Sequence, residues 1–258
     1  MTNLFVSGAG KTDPLKAAFN ILLTCVCVVC LFWFILSRIN YTFDFSFLPE
    51  LQGRLWDGFL MTVCLSAASL LFSLALGIVS AVLQSGKVVL LRYLAVLYVT
   101  VIRGTPLIMQ VLLFYYIVGT AFGIENRFLM GVLILSVFEG AYIAEIIRGS
   151  LLSMDGTQLE AAKAVGFTKK QTITLVILPQ LTARTLPALT GQFASIIKDS
   201  SLLSIIAVTE LTQTVREISA WNFKLFENYL VLGILYLVLT LPISFATKRL
   251  ERHFYYET

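Results

Sequence analysis

Five ionisable side chains, Arg103, Glu139, Glu145, Lys198 and Asp199, stand in or at the edge of stretches otherwise apolar enough to leave water. On insertion scales a charge at the centre of a membrane span costs about 2.5–3.5 kcal/mol, so each needs a partner or a watery cavity. Glu139 lies near the middle of its run, and Gly140 beside it permits close backbone approach. Its carboxylate can meet the ammonium group of a passing solute, or a donor that ties two helices together; the second use is the commoner one. Arg103 precedes Gly104-Thr105-Pro106, which loosens a helix and frees backbone groups. It can take a solute carboxylate or clamp a neighbouring carbonyl or carboxylate. Lys198 and Asp199 are adjacent and do not face one another on a helix, so they pair elsewhere, and Ser200 and Ser201 are placed to cap the next helical piece. Arg103, Thr105, Glu139, Lys198 and Ser200 are therefore candidates for a solute path. Glu145 and Arg148, three apart, read as an intrahelical ion pair.

A second group of residues does mechanical rather than binding work. Thr157–Pro179, TQLEAAKAVGFTKKQTITLVILP, is a polar, helix-prone island between two long apolar runs. Thr157 and Glu160 read as a Thr-x-x-Glu capping box opening a helix of two to three turns, which Gly166 can end in a left-handed cap. Thr168 and Gln171 repeat the box, so a second helix starts almost at once, and Pro179 disturbs it by removing a donor. Small residues at Ala161, Ala162 and Ala164 suit a helix that fits closely into a groove of another protein. Lys163, Lys169 and Lys170 keep it on the water side of a membrane.

The elements that must hold these residues are membrane helices. Hydrophobic residues make up 58% of the 258, charged residues 13%, and the mean hydropathy is +0.86, whereas soluble domains carry about 25% charged residues. The expected fold is all-α, a polytopic bundle of about six transmembrane helices; a barrel would show alternating segments of about ten residues. The net charge of +4 is loop lysine and arginine, with no nucleic-acid patch. Cys25, Cys27, Cys30 and Cys64 all sit in apolar runs, which fits small lipid- or core-facing side chains better than a redox pair. His253, the only histidine, is in the last tail, so no histidine cluster offers a metal site.

In chain order, residues 1–16 read as a polar tail and Ala17–Ser37 as the first span, too long for the apolar core of a cleaved signal peptide. Arg38–Trp56 is a loop rich in interfacial aromatics. The second span, Asp57–Leu83, carries Ser69, Ser73, Gly77 and Ala81 along one face, a stripe suited to close packing. Leu91–Gly119 is a third, interrupted span and Phe128–Ile147 a fourth. Thr172–Val208 is expected to be one bent crossing. Glu210–Asn228 reads as a polar loop and Tyr229–Ala246 as the last span. With both termini inside, eleven lysines and arginines fall in inner segments against five outside (Arg38, Arg54, Arg127, Arg216 and Lys224), as the positive-inside rule asks. The division is 1–56 for tail, first helix and outer loop, 57–250 for the transmembrane core with its loop at 155–180, and 251–258 for a cytosolic tail.

Glu160-Ala161-Ala162, Gly166 and Val176-Ile177-Leu178-Pro179 resemble the EAA loop of ABC-transporter permeases, with Val176 in place of the usual Ile. Arg103-Gly104-Thr105-Pro106-Leu107, Ala141 to Gly149, Lys198 to Leu202 and Glu210-Leu211 resemble the polar-amino-acid branch of that family, the similarity covering roughly residues 55–250. The resemblance implies a five-helix core with an added N-terminal helix, import of a polar amino acid, and a periplasmic or extracellular binding protein that delivers it. It also implies an ABC ATPase dimer that binds ATP and Mg, a second permease subunit (identical or a sister chain), and a bacterial inner membrane. Thr157, Glu160, Ala161, Ala162 and Gly166 would then form the coupling helix.

Other function classes fit less well. An intramembrane serine or metalloprotease wants an intramembrane His, and an aspartyl one two Asp residues; Asp199 stands alone and His253 lies in a tail. A self-sufficient secondary carrier or channel accounts for the spans and Glu139 but gives the island no purpose. The chain has no phosphate-binding Gly-Lys-Ser/Thr loop, so any ATP hydrolysis belongs to a partner, and no cofactor is expected in this chain.

Overall fold

The structure is a computed structural model that describes residues 14–39 and 41–255, with side chains for residues 15–39 and 41–250. Lys11 and the side chains of Arg252 and His253, and with them most of both expected tails, lie outside the described residues. The described chain is helical: α1 (Pro14–Ser37), α2 (Leu48–Gln84), α3 (Val89–Arg103), α4 (Leu107–Phe122), α5 (Arg127–Leu152), α6 (Gly156–Ala164), α7 (Lys169–Ile206), α8 (Leu211–Asn222) and α9 (Leu225–Tyr255). The described residues divide into two compact units, one ending at Asp44 and the other beginning at Phe45. Five helices, α1, α2, α5, α7 and α9, are long and apolar enough to cross a membrane, and the bent pair α3–α4 makes six if it counts as one span.

The small-residue stripe on α2 does what its spacing predicts. Ser69, Ser73, Gly77 and Ala81 are all buried, and α5 is the helix α2 packs against most closely. A Cβ added at Gly77 would sit 2.7 Å from Ile143 Cβ and 3.1 Å from the Gly140 carbonyl oxygen; one at Gly140 would sit 3.0 Å from Leu76 Cβ. Between membrane helices, packing of this kind supplies the association energy that burial from water supplies elsewhere. Leu65, Leu135, Ala141 and Leu203 fill the centre of the resulting core.

One expectation is sharpened and three change. The third span is interrupted where the sequence indicates: α3 and α4 meet at 110° across Gly104–Pro106, because Pro106 lacks a donor and biases Thr105 away from helical backbone. Gln110 repairs the break, its Nε2 donating to the Ile102 carbonyl at 2.7 Å and to Thr105 Oγ1 at 2.8 Å. The loop placed at Glu210–Asn228 contains a helix, α8, capped by the Glu210 carboxylate, which accepts from the Thr212 and Gln213 amides at 2.8 and 2.7 Å. Part of the expected 38–56 loop is already helix, since α2 starts at Leu48. Finally, Ser200 and Ser201 cap nothing; their hydroxyls donate back to the Ile197 and Lys198 carbonyls as α7 tightens into a 3-10 turn. As expected, the stretch from Thr172 belongs to one element, α7, long and apolar enough for a single crossing. Pro179 is accommodated by a π-turn over Thr172–Ile177 just before it, the kind of local widening that absorbs a missing helical bond.

Candidate functional site

The island after α5 folds as a projecting elbow. Its helix, α6, is opened by Asp155, whose carboxylate accepts from the Thr157 amide at 2.9 Å. The Thr157–Glu160 box is therefore corrected: Asp155 lies two residues earlier, caps as well as threonine does, and takes the position first. The Thr157 amide holds the Asp155 carboxyl below the usual carboxylate range. Glu160 is exposed and free of the cap.

The far end of α6 closes as the sequence indicates. Gly166 takes φ +78°, its amide donates to the Lys163 carbonyl, and Phe167 donates to Ala162, both at 3.0 Å. This pair of bonds is the Schellman motif. Two residues on, Thr168 and Gln171 form a complete capping box. The elbow is also anchored from the side. Arg184 of α7 donates to the Ser153 carbonyl and hydroxyl at 2.5 and 2.8 Å, and Gln158 bonds Gln180. Within α6 only Ala162 is buried; Thr157, Glu160 and Ala161 are exposed, as is Val165 at its end. The nine-residue helix is thus fixed at both ends and bare over most of its surface.

Inside the bundle the five path candidates separate into two places. Glu139 is fully buried on α5. It accepts from Gln192 of α7, and the Asp199 carboxyl lies against it. Its second oxygen, Oε1, has no donor among the described residues. Ser200 is buried one residue beyond Asp199, and Lys198 is exposed. Arg103 and Thr105 sit elsewhere, at the end of α3. Arg103 reaches Glu145 at 3.6 Å and lies over the Tyr142 ring at 5.3 Å; Glu145 also pairs with Arg148, as their spacing predicts. Thr105 donates to the Val101 carbonyl at 2.9 Å. Arg103 thus clamps α3 to α5. Gln192, which no motif marked, is the main addition to the Glu139 site; only its register on α7 could have pointed to it.

A further polar site lies beyond the membrane-length part of α7. Glu210 is buried at the start of α8 and also accepts from the Tyr236 hydroxyl of α9 at 3.0 Å. Burial pushes its carboxyl up to about 7, against the pull of the Thr212 and Gln213 amides.

The comparisons with known proteins agree on one kind of molecule. Residues 73–255 match the family model described as binding-protein-dependent transport system inner membrane component. The chain is 36% identical over 212 residues to the glutamine transport system permease protein of Escherichia coli, covering 81% of this chain and 97% of that one. It is 36% identical over 209 residues to the L-cystine transport system permease protein of Bacillus subtilis, covering 80% and 87%. Among solved structures, an amino acid ABC transporter crystallised with histidines superposes with a TM-score of 0.77 at 31% identity, over 83% of this chain and all of that one. A methionine ABC transporter in an inward-facing conformation shares the fold, with a TM-score of 0.64 at 19% identity over 82% of this chain and 99% of its own.

Proposed function

The chain belongs to the family of binding-protein-dependent transport system inner membrane components, as a multi-pass permease subunit, and from that premise we propose how it works. It carries a polar amino acid inward, and α6 is the lever through which an ABC ATPase dimer, binding ATP and Mg, moves the bundle. The observation that carries this reading is the elbow: a short helix capped at both ends, tied to α7 by Arg184, and exposed apart from the buried Ala162 and half-buried Leu159. Force applied to a frayed or flexible loop would be lost in the loop. Here it passes into α5 through Ser153 and into α7 through Thr168 and Arg184. In this topology α6 and both termini face the cytosol. A second permease subunit, identical or a sister chain, completes the path, and a periplasmic or extracellular binding protein supplies the cargo.

Within the bundle, the buried Glu139 and the half-buried Gln192 and Asp199 bridge α5 and α7, the two helices the elbow joins. Sited there, it senses their relative movement, and the unpartnered Glu139 Oε1 is the atom open to a cationic group. Arg103 and Thr105 are assigned to the helix break rather than to cargo, and Lys198 and Ser200 to the outer end of α7.

Reconstitution into proteoliposomes with the ATPase and the binding protein tests the reading. Accumulation of radiolabelled amino acid should require ATP inside and binding protein outside. Uptake without an ATPase would favour a secondary carrier instead. A Glu139→Gln variant that keeps full substrate-stimulated ATP hydrolysis would remove Glu139 from the solute path.

A further inference from the structure

The cleft between α3 and α5, with a volume of about 730 Å³, is lined by Arg92, Arg103 and Arg148 and by a single carboxylate, Glu145. Glu145 accounts for Arg103 and Arg148. Arg92 has no carboxylate partner among the described residues and lies over the Tyr93 ring at 5.6 Å. The cleft therefore keeps two positive charges more than it neutralises. Two other features describe what would settle there. Arg92 lies one turn into α3, just past the Gln84–Lys87 turn at one end of α2, so the charged mouth stands at an interface and not at mid-membrane. Beside it, α3 presents a strip of bare apolar side chains, Leu90, Tyr93, Leu94 and Leu97, each more than half exposed.

We propose that this cleft binds the phosphate group of an anionic phospholipid from the inner leaflet, with its acyl chains along α3. Guanidinium forks match phosphate oxygens in pairs, and basic pockets between transmembrane helices on the cytoplasmic side are suited to lipid headgroups. A free anion would use the arginines but has no need of the apolar strip, so the lipid is the source the geometry favours. The proposal needs the orientation given above for α6 and does not depend on which solute is carried.

The test uses the purified permease with its ATPase in nanodiscs of phosphatidylglycerol or phosphatidylcholine, with bound lipid read by native mass spectrometry after transfer to detergent. The wild type should retain phosphatidylglycerol preferentially. Arg92→Gln should lower that preference about fivefold, the effect of roughly one basic residue at a lipid surface, and Arg92→Lys should restore most of it. Arg92 and the Tyr93 ring beside it are both exposed, so neither variant should disturb folding. Equal retention by Arg92→Gln overturns the proposal. So does equal protection against heat by millimolar inorganic phosphate in phosphatidylcholine discs, which would make the site one for a free anion. Cross-linking of a Val96→Cys variant to a neighbouring permease subunit overturns it as well, because a protein surface would then cover the cleft.

Discussion

Gly166 holds a backbone angle that a side chain resists. At φ +78°, any L-residue with a Cβ pays about 1–2 kcal/mol, and nothing else crowds the position, since a Cβ there would meet no atom within 4 Å. A Gly166→Ala change should thus act purely through the backbone. Yield in the membrane should be unchanged, while ATPase co-purification and uptake fall together as the end of α6 loosens; a fully coupled Gly166→Ala protein would show that the cap is dispensable. Glu210 gives the pH prediction. Its carboxyl is raised from 4.5 to about 7 in the folded protein, so between those values the folded state binds more protons than the unfolded one. That contribution to stability is fully present below about pH 4.5 and is lost as pH rises through about 7. The melting temperature of the purified complex should fall across that window, and Glu210→Gln should flatten the fall. An unchanged slope in the variant would assign the pH dependence to other groups.

Among the elements, the α2–α5 contact sets how much the bundle can tolerate. Gly77→Leu would drive a branched side chain into Ile143 and the Gly140 carbonyl, and overpacking of this kind costs about 1–3 kcal/mol. The thermal midpoint should drop by several degrees. Gly53→Leu on the same helix, where a Cβ meets nothing within 4 Å, should leave it in place; equal effects from both would mean that helix propensity, not packing, is being measured. Local sequence was enough to find the packing face on α2, though not its partner, because a four-residue period of small side chains has few other uses in a membrane helix. The Gly166 cap and the Thr168–Gln171 box were legible for the same reason, each depending on residues a few positions apart. The α6 cap was misassigned because Asp155 and Thr157 are both good caps, and only the entry path of the chain from α5 decides between them. α8 was missed since its polarity resembles a loop's, and the residues that hold it, Glu210 and Tyr236, are 26 positions apart.

For the whole molecule, helix number and membrane habit could be read from hydropathy, and the kind of machine from one spaced motif. The division of the polar side chains into two sites could not. Arg103 and Glu139 look alike in sequence, each a lone charge in an apolar run, yet one ties α3 to α5 and the other meets α7. The direction each side chain takes depends on helix rotation set by packing across the bundle. The account of the machine rests on α6 being held by a separate motor, and site-directed cross-linking tests that most directly. With cysteines placed by Ala161→Cys on the exposed face of α6 and at the matching surface of the ATPase in an otherwise cysteine-free complex, a cross-link should form, and ATP-driven uptake should stop when it does and return on reduction. Full uptake with the cross-link in place, or modification of that cysteine by an impermeant thiol reagent added outside intact cells, would contradict the account.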